Sequence, residues 1–208
     1  MRTALAWLGR IFFALLLVGI LVVGINMAHR ADLLHDADSD DPAAQYRLAQ
    51  AYLDGDGITK NPEQAIKWLR LAVAKDFLPA IHRLADLYKS GEGVPRDMAM
   101  YYKLHAQAAE LLNSESRYIV GKGMLIGTDI EYDPEKGVKL IDQAARDRYV
   151  PAATYLGQLY LEGKQAPCDK AKAEEWLTFA AGKGDAEAKL WLRALQSNEG
   201  CWAAEKTP

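Results

Sequence analysis

The chain repeats itself every 36 residues, with nothing inserted or deleted between copies. Leu48, Leu84, Val120, Leu156 and Leu192 form one column, and Ala44, Ala80, Ser116, Ala152 and Ala188 form another. Glycine recurs at 55, 91, 127 and 163, and slips by one residue to Gly200. A fixed period of this size marks an array in which each copy is too small to bury its apolar face alone and buries it against its neighbours. The period thus restricts the chain to stacked repeats before any single residue is read.

Within a copy the punctuation is helical. Asp41-Pro42 supplies an N-cap and a proline at the first helical position, where its missing N–H costs nothing. Leu48, Ala51 and Tyr52 follow at helical spacing, and Gly55-Asp56-Gly57 ends the helix by accepting left-handed backbone. Asn61-Pro62-Glu63-Gln64 opens a second helix with a capping-box pattern, and Asp97, Asp133 and Asp169 stand in the same column as Asn61. Trp68, Leu104, Leu140 and Trp176 form a core column, followed by Ala72, Ala108, Ala144 and Ala180, whose small side chains allow close helix contact. Two antiparallel helices per copy predict an all-α fold, an α-solenoid of about four and a half helix–loop–helix repeats over residues 42–198. The half copy is a terminal helix at about Ala186–Ser197, and residues 199–208 are a tail.

Residues 1–28 lie outside the register. Arg2 and Arg10 precede an unbroken run of fifteen apolar or glycine residues, Ile11 to Ile25, and extending it to Ala28 gives 18 residues, about 27 Å of helix. That length approaches the hydrocarbon core of a bilayer. Positive charge before the run and Asp32, Asp36, Asp38, Asp40 and Asp41 after it predict a transmembrane signal anchor with a cytoplasmic N-terminus and a translocated remainder. A cleaved signal peptide is the alternative, although no good small-residue cleavage site is found. Residues 29–41 read as an acidic linker that extends the anchor helix before turning. The whole chain has net charge −3, and without residues 1–28 there are 23 bases against 28 acids, so nothing suggests a nucleic-acid partner.

The repeat units resemble Sel1-like repeats, near relatives of the tetratricopeptide repeat. The stretch Ala152-Ala153-Thr154-Tyr155-Leu156-Gly157-Gln158-Leu159-Tyr160-Leu161-Glu162-Gly163 is similar to the first half of such a unit, and Asp169 to Ala181 to its second half. Tyr52 to Ile58 and Tyr88 to Val94 match the family's Tyr-x-x-Gly-x-Gly-Val segment. Some positions depart from the pattern: Met124 for tyrosine, Asp129 and Gln165 for the second glycine, and Gly137 for a helix alanine. Asp76, Leu112 and Arg148 replace the glycine usual in the return between units, where Gly184 is retained. Locally different turns are expected at these places.

Cys168 and Cys201 are the two cysteines. Translating Cys201 back by one period gives Gln165, so the register places both thiols in neighbouring loops on one edge. In an oxidising compartment a disulfide is expected, worth about 3–4 kcal/mol by loop-entropy arguments; two unpaired thiols are the alternative. Cysteine-rich members of the family carry a bridge within each repeat, a pattern absent here. No Cys-x-x-Cys redox motif or phosphate-binding glycine loop occurs. His105 shares a column with Leu69, Ile141 and Leu177 and reads as a packed histidine; His29 and His35 stand in the acidic linker. No cofactor, metal site or catalytic residue is expected.

By analogy with tetratricopeptide stacks, the first helices line a concave groove. The facing columns are then Tyr46, His82, Tyr118 and Thr154; Gln50, Asp86, Lys122 and Gln158; and Leu53, Lys89, Leu125 and Leu161. Apolar and aromatic groups mixed with polar ones suit a protein or peptide ligand better than a polyanion. These features imply a non-enzymatic interaction scaffold anchored in a bacterial inner membrane, its repeats in the periplasm within an envelope assembly. A cleaved, soluble periplasmic or secreted binder is one alternative, and an envelope enzyme acting on peptidoglycan or thiols is another.

Overall fold

The computed structural model describes residues 15–18, 28 and 31–196, and every regular element among them is helical. From residue 42 onward these are α1 (Pro42–Asp54), α2 (Pro62–Val73), α3 (Leu78–Ser90), α4 (Met98–Glu110), α5 (Ser114–Ile126), α6 (Pro134–Arg146), α7 (Val150–Glu162), α8 (Lys170–Gly182) and α9 (Ala186–Gln196). The expected helix pairs and the terminal helix are all present. Of the expected anchor, only residues 15–18 and 28 are described; the remainder, with Cys201 and the tail 199–208, lies outside the described residues. No helix among the described residues is long and apolar enough to cross a membrane.

Two compact units partition the chain. One holds the residues up to Leu84 with Glu92–Val94, and the other holds Ala85–Gly91 and the residues from Pro95 onward. In the first, α1 packs along α2, and Leu48, Ala51 and Ile58 are buried together. The acidic connector has a structural task here. Residues 31–38 are helical, Ala37 is buried in that same cluster, and Leu33 and Leu34 pack against it. Their spacing puts three apolar groups on one helix face, while the aspartates take the other. At Asp40 the chain turns, and the Lys75 ammonium binds both its carboxylate and its carbonyl. The hydrogen bond and charge of Lys75 hold the Asp40 carboxyl below the ordinary carboxylate value.

In the second unit each helix from α4 to α9 packs on the next. Its core alternates large and small groups: Ile141, Leu156, Leu161 and Leu177 are fully buried among Ala144, Ala152, Ala173, Ala180 and Ala188. One close crossing brings two glycine backbones together. A Cβ on Gly121 of α5 would stand 2.7 Å from the Gly137 carbonyl oxygen of α6, and one on Gly137 would stand 2.8 Å from that of Gly121. Gly137, a departure from the repeat pattern, thus meets a glycine whose own column holds only alanine and glycine (Ala49, Ala85, Gly121 and Gly157). Gly123 likewise leaves room for the Tyr102 ring, which a Cβ there would meet at 2.5 Å.

Each copy closes its loop with the same hydrogen bond. The N–H of the cap residue of the second helix donates to a carbonyl nine residues earlier: Asn61 to Tyr52, Asp97 to Tyr88, Asp133 to Met124 and Asp169 to Tyr160, at 2.8–3.1 Å. Asn61 therefore spends its N–H on the loop, and only half of the expected capping box forms, the Gln64 N–H donating to Asn61 Oδ1. Inside the loops the turns differ as expected. Gly55 and Gly57, and Gly91 and Gly93, all take positive φ, whereas in the third and fourth copies only Gly127 and Gly163 do.

The returns between copies correct the expectation of different turns. Asp76, Leu112 and Arg148 all adopt left-handed backbone, with φ of 56°, 63° and 68°, as Gly184 does at 97°. In each case the residue after the turn donates its N–H to the carbonyl of the small-residue column: Phe77 to Ala72, Asn113 to Ala108, Tyr149 to Ala144 and Asp185 to Ala180. The turn residue itself donates three positions back, to Val73, Ala109, Ala145 and Ala181. These paired bonds are a Schellman motif, and they impose the left-handed turn on side chains that disfavour it.

Candidate binding surface on the first helices

The columns expected to face a partner divide into core and surface. Leu53, Leu125 and Leu161 are 2%, 6% and 0% exposed, and Thr154 is 4% exposed. Burial removes these four from the contact set. For Thr154 and Leu161 the reason is local: α7 (VPAATYLGQLYLE) is apolar on nearly every side, so its sequence does not mark which stripe faces outward. Thr154 is buried at a cost, since its hydroxyl has no hydrogen-bond partner among the described residues.

In the first unit Tyr46, Gln50 and His82 stay partly exposed. The Tyr46 ring packs at 5.7 Å from Phe77, Gln50 Nε2 donates to the Tyr46 hydroxyl, and Arg83 Nε donates to Gln50 Oε1, both at 3.2 Å. Gln50 thereby links the aromatic group of α1 to a cation on α3.

The richer surface is in the second unit. Tyr118 of α5 lies 5.8 Å from Tyr149 and 6.0 Å from Tyr155 of α7. The Lys122 ammonium sits over two of these rings, 4.9 Å from Tyr155 and 5.7 Å from Tyr118. One turn on from Tyr155, Gln158 donates to Glu162 at 2.6 Å. Burial raises the pKa of Tyr149 and of Tyr155, with neighbouring acidic groups adding to the effect, so both remain neutral phenols at physiological pH. The arrangement is an aromatic platform with one cation held by ring faces. Asp86 and Lys89, both exposed, stand on α3, and Lys89 Nζ lies 5.4 Å from the Tyr101 ring. Tyr101 itself is pushed up to about 12, first by burial and then by Tyr102, Asp86 and Glu115.

Tyr118 and Lys122 were legible from their columns, whereas Tyr149 and Tyr155 were not. Tyr155 follows Thr154, one step around α7, and Tyr149 sits in a return turn that no helical column includes. His105 is packed, as its column implies. It is 3% exposed, its Nδ1 lies 3.0 Å from the Oγ of buried Ser116, and its ring stands edge-on to Tyr101. Among the described residues no group of three or more His, Cys, Asp or Glu side chains could hold a metal ion. Cys168 lies at the loop edge beside a cleft of about 480 Å³.

A family model described as the Sel1 repeat matches residues 42–77, 78–111, 114–148 and 150–185. The chain is 24% identical over 175 residues to an exopolysaccharide production negative regulator of Rhizobium leguminosarum bv. viciae, covering 77% of this chain and 64% of the relative. It is 28% identical over 159 residues to a chitin synthase regulator of Saccharomyces cerevisiae, covering 72% of this chain but 23% of that one. Among solved structures, a protective antigen present in uropathogenic Escherichia coli superposes with a TM-score of 0.74 at 28% identity, over 82% of this chain and 37% of the antigen. A repeat protein from Oxalobacter formigenes superposes with a TM-score of 0.71 at 30% identity, over 80% of this chain and 48% of that one. The chain thus spans less than two thirds of the length of each.

Proposed function

Because the chain belongs to the Sel1 repeat family, we propose that it is a membrane-anchored periplasmic scaffold that binds a protein or peptide partner within an envelope assembly. The observation that carries the binding role is the platform of Tyr118, Tyr149, Tyr155 and Lys122. Tyrosine supplies large contact area with little conformational entropy to lose, and aromatic anchors dominate the energetics of protein interfaces. Two relatives are named as regulators, of exopolysaccharide production and of chitin synthase, which supports a regulatory adaptor rather than an enzyme.

The membrane attachment and periplasmic location rest on the apolar run to Ala28 and its flanking charges. Leu15, Leu16, Leu17 and Val18 are each at least half exposed, as lipid-facing residues would be outside a bilayer. In that compartment Cys168 and Cys201 form a bridge by exchange with an oxidising disulfide, which accepts the two electrons and two protons. Cys168 carries no free thiol, in keeping with this reading. A cleaved, soluble form is distinguished by the mass of the mature protein.

The test is in-cell photo-crosslinking from positions 118 and 122, with position 139 on α6 as the control. One captured envelope protein, lost when Tyr155→Ala and Tyr149→Ala are combined, is the expected result. Capture from position 139 with none from 118 or 122 overturns the assignment of the surface.

A further inference from the structure

The loop edge of the third and fourth copies carries a cleft that the first-helix surface does not use. Tyr132, Pro134, Val138, Tyr160, Ala166 and Pro167 form the apolar part of its lining, in a volume of about 480 Å³. Tyr132 is 61% exposed, so an aromatic ring beside two prolines faces water. The rim is charged, with Lys172 paired to Asp169 at 3.2 Å and standing 5.3 Å from the Tyr160 ring. Cys168 lines the same cleft, and Gly163, at φ +65°, lets the Cys168 stem close in: a Cβ on that glycine would lie 3.2 Å from Cys168 Cβ.

Helix α9 ends at Gln196, and the chain beyond it reads Ser197-Asn198-Glu199-Gly200-Cys201-Trp202. A disulfide separates its Cα atoms by about 5.5 Å, and the next residue is about 3.8 Å further along the chain. A bridge from Cys168 to Cys201 therefore carries the Trp202 Cα to within about 9 Å of the Cys168 Cα, at the mouth of the cleft. We infer that the cleft is the seat of the chain's own C-terminal segment, with the Trp202 indole packed against Tyr132, Tyr160 and the two prolines. An indole suits such walls, because aromatic and proline faces bury its area while Glu135 and Asp169 on the rim offer acceptors for its N–H. The tether makes docking intramolecular, at an effective concentration in the millimolar range for a short linker. An outside ligand has to compete with that. The inference rests on the Cys168–Cys201 bridge, and the experiment separates the two.

The full-length chain in detergent is labelled with 5-fluorotryptophan, and Trp202→Phe assigns one of its five fluorine resonances. The oxidised protein should show a Trp202 resonance with little solvent isotope shift. It should move to a solvent-exposed position in Tyr132→Ala and after dithiothreitol, which gives two electrons and two protons to the bridge and leaves as its cyclic disulfide. Mass spectrometry after thiol blocking reads the bridge independently. An intact bridge with an exposed Trp202 overturns the docking and leaves the bridge standing. A shielded Trp202 that ignores Tyr132→Ala overturns it too, since the indole then sits elsewhere. A shielded Trp202 that responds to Tyr132→Ala without any bridge supports the docking and refutes the tether. If the bridge is absent and the indole is exposed, both readings fail.

Discussion

Replacing a helical glycine with alanine ordinarily stabilises a helix by about 1 kcal/mol, because alanine loses less backbone entropy on folding. At Gly121 the structure predicts the opposite sign. The new Cβ would stand 2.7 Å from the Gly137 carbonyl oxygen, 2.9 Å from Ile141 Cγ1 and 3.2 Å from Leu140 Cβ. The nearest atom is backbone in the first turn of α6, whose carbonyl is committed to that helix and cannot swing aside as a side chain could. Overpacking of this kind costs about 1–3 kcal/mol. Set against the propensity gain, Gly121→Ala should lose up to about 2 kcal/mol, lowering the melting temperature by up to about 4–8 °C for a chain of this size. Gly182 in α8 is the internal control, since a Cβ there meets nothing within 4 Å. Gly182→Ala should gain up to about 1 kcal/mol. Thermal melts followed by circular dichroism at 222 nm give both signs. Hydrogen exchange should place the Gly121→Ala loss in α5 and α6. A rise in melting temperature for Gly121→Ala comparable to that of Gly182→Ala would refute the close crossing and reduce both glycines to drift within the repeat.

Other perturbations follow from the same geometry. Leu112→Gly relieves a left-handed leucine that is 72% exposed; the relief of about 1–2 kcal/mol exceeds the entropy glycine adds to the unfolded chain, so urea denaturation should show a net gain of about 0.5–1 kcal/mol. Thr154→Val keeps the shape and removes a buried hydroxyl without a partner, so it should stabilise by about 1 kcal/mol in the same assay. Partner capture from position 118 should be unchanged by it. Ser116→Ala should cost about 1 kcal/mol by removing the buried hydrogen bond between Ser116 Oγ and His105 Nδ1, and the double-mutant cycle with His105→Leu, which returns both positions to their column residues, should show the two losses to be non-additive. Tyr101→Phe tests the raised phenol. Below pH 10 native and unfolded Tyr101 are both protonated, but between 10 and about 12 only the unfolded state releases its proton. The Tyr101 phenol therefore withdraws stability as pH rises through that window. Chemical denaturation at pH 9 and pH 11.5 should show a smaller loss in Tyr101→Phe than in the parent chain.

Much of this architecture is legible because backbone demands leave chemical marks. Asp41, Asn61, Asp97, Asp133 and Asp169 announce helix starts, and each side chain does accept from the first turn of its helix. Gly55, Gly91, Gly127 and Gly163 announce the stops. Rotation of a helix about its own axis leaves a weaker mark. Leu161 and Thr154 face the core although their neighbours in α7 are apolar as well, and one step of 100° separates Thr154 from Tyr155. The returns hide their conformation for a different reason. Asp76, Leu112 and Arg148 do not look like left-handed residues, since the conformation is imposed by carbonyls of a preceding helix that no local pattern reveals. Similarly, Leu33, Leu34 and Ala37 were hidden by the aspartates interleaved with them.

The bond that closes each loop has a consequence for how such a chain can change. Its two ends are a main-chain N–H and a main-chain carbonyl, and the side-chain cap beside it asks only for aspartate or asparagine. Between those ends the αL glycine and a buried apolar residue or two (Leu53 and Ile58 in the first copy, Leu161 and Ala166 in the fourth) hold the copy together, but the exposed positions do not, and the loop Gly55–Lys60 differs from Gly163–Cys168 at nearly every position. The exposed loop positions of each copy are therefore open to variation. New charges, a proline or a cysteine can be tried there copy by copy, while the helices on either side keep their register.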